Sequence, residues 1–140
     1  MRQTDFSHQI VEFIPERLEE GILYVSHRYK TAVHKCACGC GEEVVTPLGT
    51  TDWSIQIDNG TATLYPSIGN WSFACRSHYF MRKGRVIWAG QMSRQQIEHG
   101  RTLDRKAQEL YLKEVNREKA LPPRSFLYKA WMTFKRWWMS

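Results

Sequence analysis

At 140 residues with a formal charge of +6, the chain suits one domain whose core would gain from a staple such as a metal ion. The positive balance permits an acidic partner, nucleic acid or an anionic membrane surface and selects none of them. The opening Met1-Arg2-Gln3-Thr4-Asp5 lacks a signal peptide's apolar run and no stretch is apolar for long enough to span a bilayer, so the expected location is the cytoplasm.

Residues 1–20 mix apolar positions such as Phe6, Ile10 and Phe13 with acidic ones, and read as a short helix or an ordered lead-in broken at Gly21. Ile22-Leu23-Tyr24-Val25-Ser26 is a β-type run, and Tyr29 to Val33 reads as a turn or short helix into the first cysteine cluster. Val44-Val45-Thr46 follows that cluster and stops at Pro47. Trp53-Ser54-Ile55-Gln56-Ile57 alternates apolar with polar residues, as a half-buried strand does. Asp58-Asn59-Gly60 is a turn signal and Thr61 to Tyr65 the returning strand, which predicts a hairpin over 53–65. Pro66 to Trp71 reads as a loop. Tyr79 to Arg82 and Arg85 to Trp88 flank Lys83-Gly84 as a second hairpin. Ser93 and Gln96 form a capping-box pattern at the head of a polar helix over 93–120. Gly100 is a point where that helix could break, and Pro122-Pro123 ends it. The last segment carries Leu127, Trp131, Phe134 and Trp138 at the spacing of one helix face, among Arg124, Lys129, Lys135 and Arg136. The expected class is α+β: a small antiparallel β unit with a metal cluster, followed by C-terminal helices, with domains at 1–120 and 121–140.

All four cysteines lie in two clusters, His34-Lys35-Cys36-Ala37-Cys38-Gly39-Cys40-Gly41 and Cys75-Arg76-Ser77-His78. Tetrahedral zinc takes four sulfur or nitrogen ligands from two separate loops, and thiols in a reducing compartment favour metal over disulfides. Six side chains compete, His34, Cys36, Cys38, Cys40, Cys75 and His78, and the expected set is the three cysteines of the first cluster, or two of them, with Cys75 and His78. His34 reads as a supporting residue or a strand histidine. Thiolate ligands accept iron as well as zinc. Glu42 and Glu43 follow the cluster directly and are candidate proton shuttles, although a solvated turn carboxylate is the commoner use of such a residue. The nucleobase-deaminase and His-Glu-x-x-His patterns are both absent. Ser67 and Ser77 are candidate nucleophiles or hydrogen-bond donors to thiolate.

Leu23-Tyr24-Val25-Ser26, the His34-to-Gly41 cluster, Glu43 to Leu48, Asp52-Trp53, Pro66 to Phe73 and Cys75 to Tyr79 together resemble a bacterial family of unassigned function. Its members are encoded beside ubiquitin-like proteins and their activating and conjugating enzymes. The likeness covers residues 21–90 and carries nothing to the tail. It implies a zinc peptidase that matures or deconjugates a ubiquitin-like protein, or an accessory factor of that pathway. The ubiquitin-like protein and its conjugation enzymes would be the partners, and Cys36, Cys38, Cys40, Cys75 and His78 would hold Zn2+.

The residues and the resemblance pull apart at one point. Peptidase zinc normally keeps an open position for water and sits on His and carboxylate ligands, whereas this chain offers thiolates. One hypothesis is therefore a zinc-dependent peptidase with Glu42 or Glu43 as base. The alternative is a non-catalytic zinc module that recruits a partner in the same pathway. A closed four-ligand shell would leave Ser67 or Ser77 as the nucleophile candidates. For the aromatic basic tail a helix docked on its own β unit ranks first, an interfacial helix on an anionic membrane second, and stacking on single-stranded nucleic acid last.

Overall fold

The computed structural model describes residues 1–120, 129 and 131–136. The strands are β1 (Ser7–Ile10), β2 (Ile22–Ser26), β3 (Thr31–Lys35), β4 (Glu43–Pro47), β5 (Ser54–Asp58), β6 (Thr61–Gly69), β7 (His78–Arg82) and β8 (Arg85–Trp88), followed by helix α1 (Arg94–Ala120). They form two four-stranded sheets, in the orders β1-β2-β3-β4 and β5-β6-β7-β8. Every pairing is antiparallel except β1 with β2. The class is α+β, as the sequence indicates.

The period of two along each strand explains the core. Leu23, Val25, Ala32 and Val44 from the first sheet meet Ala62, Leu64, Ile68, Tyr79 and Met81 from the second in one buried cluster with Phe6. The alternate residues of β2 and β3, Tyr24 and Val33, point the other way. They pack with Leu18, Val11, Ile14 and Ile22 in a second, smaller cluster. The lead-in thus serves as a lid over the outer face of the first sheet. Its start is not helical: residues 7–10 form β1, parallel to β2. Residues 31–35 likewise form β3 rather than a turn or helix. Thr31 and Val33, with Val44, Val45 and Thr46 across from them on β4, fit a pleated, half-buried surface better than a helix.

Both hairpins follow from their turn residues. Asn59-Gly60 and Lys83-Gly84 each adopt positive φ at both central positions, the type I′ geometry that matches strand twist. At Gly84 a side chain has no room, because an added Cβ would lie 2.8 Å from the Phe6 carbonyl oxygen. That same region stitches the chain's start to the second sheet. Phe6 N–H donates to Gly84 O at 2.6 Å and Val86 N–H to Thr4 O at 2.9 Å, so residues 4–6 run along the outer edge of β8.

Strand β6 runs further than the sequence suggests. Leu64 faces Met81 and Ile68 faces Tyr79, so the register shifts by a bulge between them, and pairing with β7 resumes through Gly69. The expected loop at 66–69 is strand. The cis Tyr65-Pro66 peptide lies in the bulge.

Helix α1 opens on the predicted capping box: Ser93 N–H donates to Gln96 Oε1 at 2.8 Å, and Gln96 N–H to Ser93 Oγ at 3.2 Å. It continues unbroken through Gly100 to Ala120, and the expected stop at Pro122-Pro123 lies outside the described residues. Ile97 is its buried residue. The chain divides into two compact units, Met1–His99 and Gly100–Ser140. In the second unit residues 131–136 are helical, with Trp131 and Phe134 exposed and the Lys135 ammonium 4.8 Å from the centre of the Trp131 ring. Leu127 and Trp138 of the expected apolar face lie outside the described residues. Among the described residues no helix is long and apolar enough to cross a membrane.

Candidate active site and thiol cluster

Two turns deliver the cysteines. The first leaves β3 at Lys35 and doubles back, with Gly39 N–H donating to Cys36 O at 3.1 Å and Cys36 N–H to Glu42 O at 2.8 Å. Gly39 and Gly41 adopt φ of 87° and 86°, a backbone region that L side chains rarely enter. The second turn lies between β6 and β7. It is held by Asn70 N–H to Ser77 O, Phe73 N–H to Asn70 O, and Arg76 N–H to Phe73 O.

The two turns meet so that the Sγ atoms of Cys36, Cys38, Cys40 and Cys75 all lie within 4.8 Å of one another, and no disulfide joins them. Cys36 Sγ is 3.5 Å from Cys38 Sγ and 3.8 Å from Cys75 Sγ, and Cys40 Sγ is 3.8 Å from Cys75 Sγ. A tetrahedron of thiolates at a zinc–sulfur distance of ~2.3 Å has edges of about 3.8 Å, so the four residues fit a tetrahedral metal ion. Other groups already point at the sulfurs. Ser77 Oγ donates to Cys75 Sγ at 3.1 Å, Cys40 N–H to Cys38 Sγ at 3.3 Å, and the Asn70 amide to Cys36 Sγ at 3.7 Å. Such donors stabilise thiolate and aim the ligands.

The thiols' acidities show why a cation suits this place. Burial raises the Cys36 thiol. Desolvation likewise pushes Cys40 up to about 12, with its sulfur neighbours adding to the effect. At Cys38 desolvation is outweighed by hydrogen bonds from Ser77 and Cys40, which bring it down to about 6. Four adjacent thiols cannot all shed their protons without a positive charge among them.

His78, grouped with Cys75 by sequence spacing, stands apart from the four sulfurs. It opens β7 opposite Gly69, two residues past Ser67 on β6, and the period of two puts all three on the same face. Its Nε2 lies 2.9 Å from Ser67 Oγ and its Nδ1 lies 2.8 Å from the carbonyl oxygen of Gly90. A carbonyl only accepts, so Nδ1 carries the hydrogen. Nε2 of the neutral ring is then the acceptor, and the Ser67 hydroxyl donates to it. The Trp71 indole packs beside the imidazole with ring centres 4.9 Å apart, and Phe80 lies on the same face at 6.3 Å. Arg76 covers Trp71 at 5.6 Å.

The remaining candidates fall elsewhere. Ser77 is buried with its hydroxyl engaged by Cys75. Glu42 and Glu43 are exposed at the start of β4, where Glu43 faces Lys35 across the ladder. Neither takes part in the hydrogen bonds described for Ser67 or His78. His34 is a fully buried strand histidine on β3. Its Nε2 lies 2.7 Å from the Tyr79 hydroxyl and its ring is edge-on to Phe6, while no partner for Nδ1 is found among the described residues. Burial lowers its pKa to about 3, so it is neutral. Gly90 is the participant sequence reasoning could not supply, since it contributes only a backbone oxygen.

Residues 10–89 match the profile of the BubE family, described as "Bacterial ubiquitination-like system serine protease". No curated protein and no solved structure matches the chain.

Proposed function

The chain belongs to the BubE family, and from that membership we propose that it is a serine hydrolase that matures a ubiquitin-like protein or releases it from its targets. The observation that carries this reading is the His78 ring, held by Gly90 O on one nitrogen and facing the Ser67 hydroxyl with the other. This is the nucleophile–base–orienter arrangement of serine acyl transfer, with a backbone carbonyl where an aspartate often stands.

The steps follow from that geometry. Ser67 Oγ attacks the scissile carbonyl as its proton passes to His78 Nε2. The imidazolium that forms keeps its Nδ1 hydrogen bond to Gly90 O, and returns the Nε2 proton to the departing amine or alcohol. Water, deprotonated by the same nitrogen, then hydrolyses the acyl-serine and frees the enzyme. Trp71 walls the imidazole and limits its rotation. Glu42 and Glu43 are left as solvated turn carboxylates.

The four cysteines hold zinc as a structural clip in this reading. A shell of Cys36, Cys38, Cys40 and Cys75 leaves no position for water, so the ion would supply cross-linking rather than Lewis-acid chemistry. The clip matters to catalysis through the chain: Cys75 belongs to the turn that joins Ser67 to His78. Free thiols also suit a reducing compartment such as the cytoplasm.

The test is labelling with a fluorophosphonate and hydrolysis of a ubiquitin-like precursor. Ser67→Ala should lose both, and His78→Ala should slow hydrolysis by about three orders of magnitude or more. Both variants should keep their metal content and melting temperature. Undiminished labelling of folded Ser67→Ala would end this reading. It would favour the second one, a non-catalytic zinc module that binds a partner in the pathway, for which the closed four-thiol set speaks.

A further inference from the structure

Strand β5 stops short of the nucleophile. Its pairing with β6 runs from Asp58 opposite Thr61 to Ser54 opposite Tyr65, while β6 continues to Gly69. On the side that β5 leaves, no described residue pairs with the backbone of residues 66–69, and both Pro66 and Gly69 are exposed.

The ladder on the other side says where the backbone groups point. Asn70 N–H donates to Ser77 O, which makes that pair hydrogen-bonded. In an antiparallel ladder bonded and non-bonded pairs alternate, so Ile68–Tyr79 is bonded and Gly69–His78 between them is not. The carbonyl of His78 is accordingly turned to β8, where it accepts Ala89 N–H at 2.8 Å. By the same alternation the N–H and C=O of Gly69 are directed at the vacated side. The face above Gly69 is closed, because a Cβ there would lie 2.4 Å from Trp71 Nε1. Approach to the pair Ser67–His78 along the edge avoids that indole.

We propose that an extended segment of the protein substrate docks as an added strand in the position β5 vacates, exchanging hydrogen bonds with Gly69 and bringing its scissile carbonyl to Ser67 Oγ. This rests on the serine hydrolase reading above. An unpaired strand edge is a template for another strand, and main-chain bonds give such a complex its affinity. Two arguments make a peptide the occupant. The edge is continuous with the nucleophile: at about 3.3 Å per residue, the strand position paired with Gly69 and the one beside Ser67 are about 7 Å apart, two residues of one extended chain. The fold also treats its edges unequally. Residues 4–6 cover the edge of β8, whereas no described residue pairs with the edge beside Ser67.

The full chain would be tested against a fluorogenic peptide carrying the tail of the ubiquitin-like protein from the same system, and against the same peptide N-methylated at one residue at a time. N-methylation at the residue paired with Gly69 should lower kcat/KM by about tenfold or more, the scale of one lost backbone hydrogen bond with added steric conflict. Methylation of its immediate neighbour should cost little, since alternate amides point away from the edge. All methylated peptides cleaved within about twofold of the parent would overturn the inference. So would a parent peptide left intact by an enzyme that still hydrolyses nitrophenyl acetate through Ser67, or a dimer in solution whose formation blocks cleavage. Loss of the Ser67-dependent ester hydrolysis itself would sink the underlying reading, and the inference with it.

Discussion

His34 should make the fold sensitive to mild acid. Its ring is fully buried, and burial lowers its pKa from 6.5 to about 3. The unfolded chain therefore takes up a proton below pH 6.5, while the folded chain refuses it until about pH 3. Stability is fully present above the unfolded value and is lost as pH falls through that window. At ~1.4 kcal/mol per pH unit within it, moving from pH 7.5 to 5.0 should cost about 2 kcal/mol from this residue. On a unit of this size that corresponds to a melting temperature lower by about 10 °C. Carboxylates, and cysteines that bind metal, titrate too, so the comparison needs a variant that keeps a partner for the Tyr79 hydroxyl and has no proton to take. His34→Gln meets both conditions. Urea denaturation of both proteins, followed by tryptophan fluorescence at the two pH values with zinc held constant, gives two stability losses. The wild-type loss should exceed that of the variant by about 2 kcal/mol. Equal losses would show that His34 does not titrate between the folded and unfolded states, and would refute the argument from burial.

The other predictions concern the site. Gly69→Ala puts a Cβ 2.4 Å from Trp71 Nε1 and 2.8 Å from Cε2, so the indole must swing off the His78 ring. Overpacking of this kind costs about 1–3 kcal/mol, and thermal melting with ester hydrolysis should show both a lower melting temperature and a lower kcat. Ser77→Ala removes the hydroxyl 3.1 Å from Cys75 Sγ, and should weaken metal retention about tenfold or more in a competition with a zinc chelator. Full removal of the metal should abolish fluorophosphonate labelling of Ser67 and lower the melting temperature, and re-addition of zinc should restore both; an apo protein that still labels would break the proposed dependence on the clip.

How far the sequence could be read depended on whether the signal was local. Asn59-Gly60, Lys83-Gly84 and the Ser93–Gln96 pair announce their structures within four residues, and each is where the pattern put it. The cysteine clusters likewise announced one another. His78 did not, because Cys-x-x-His spacing looks the same whether the histidine turns back toward the turn or out onto a strand. Its direction is set by the pairing of Gly69 with His78, and that register depends on the bulge between Leu64 and Ile68. The hint in the chain was that Gly69 follows Ser67 by two positions, which on a strand puts the residue paired with Gly69 on the serine's face. The strands β1 and β3 were hidden for another reason. Residues 7–10 are mostly exposed and carry little alternation, and they become a strand because β2 offers them an edge.

The group that orients His78 is the peptide oxygen of Gly90, and this has a consequence for how the proposed site can be altered. A carboxylate in that place could be lost to a single codon change, or neutralised in acid. A main-chain oxygen is subject to neither. An alanine scan would pass over position 90 without registering it, since every substitution supplies the same atom. Vulnerability shifts instead to whatever fixes the path of the chain as it leaves β8, above all the Ala89 N–H bond to the His78 carbonyl, so the informative change there is proline at 89. A survey of side chains alone would count two members in this machinery and overlook the third.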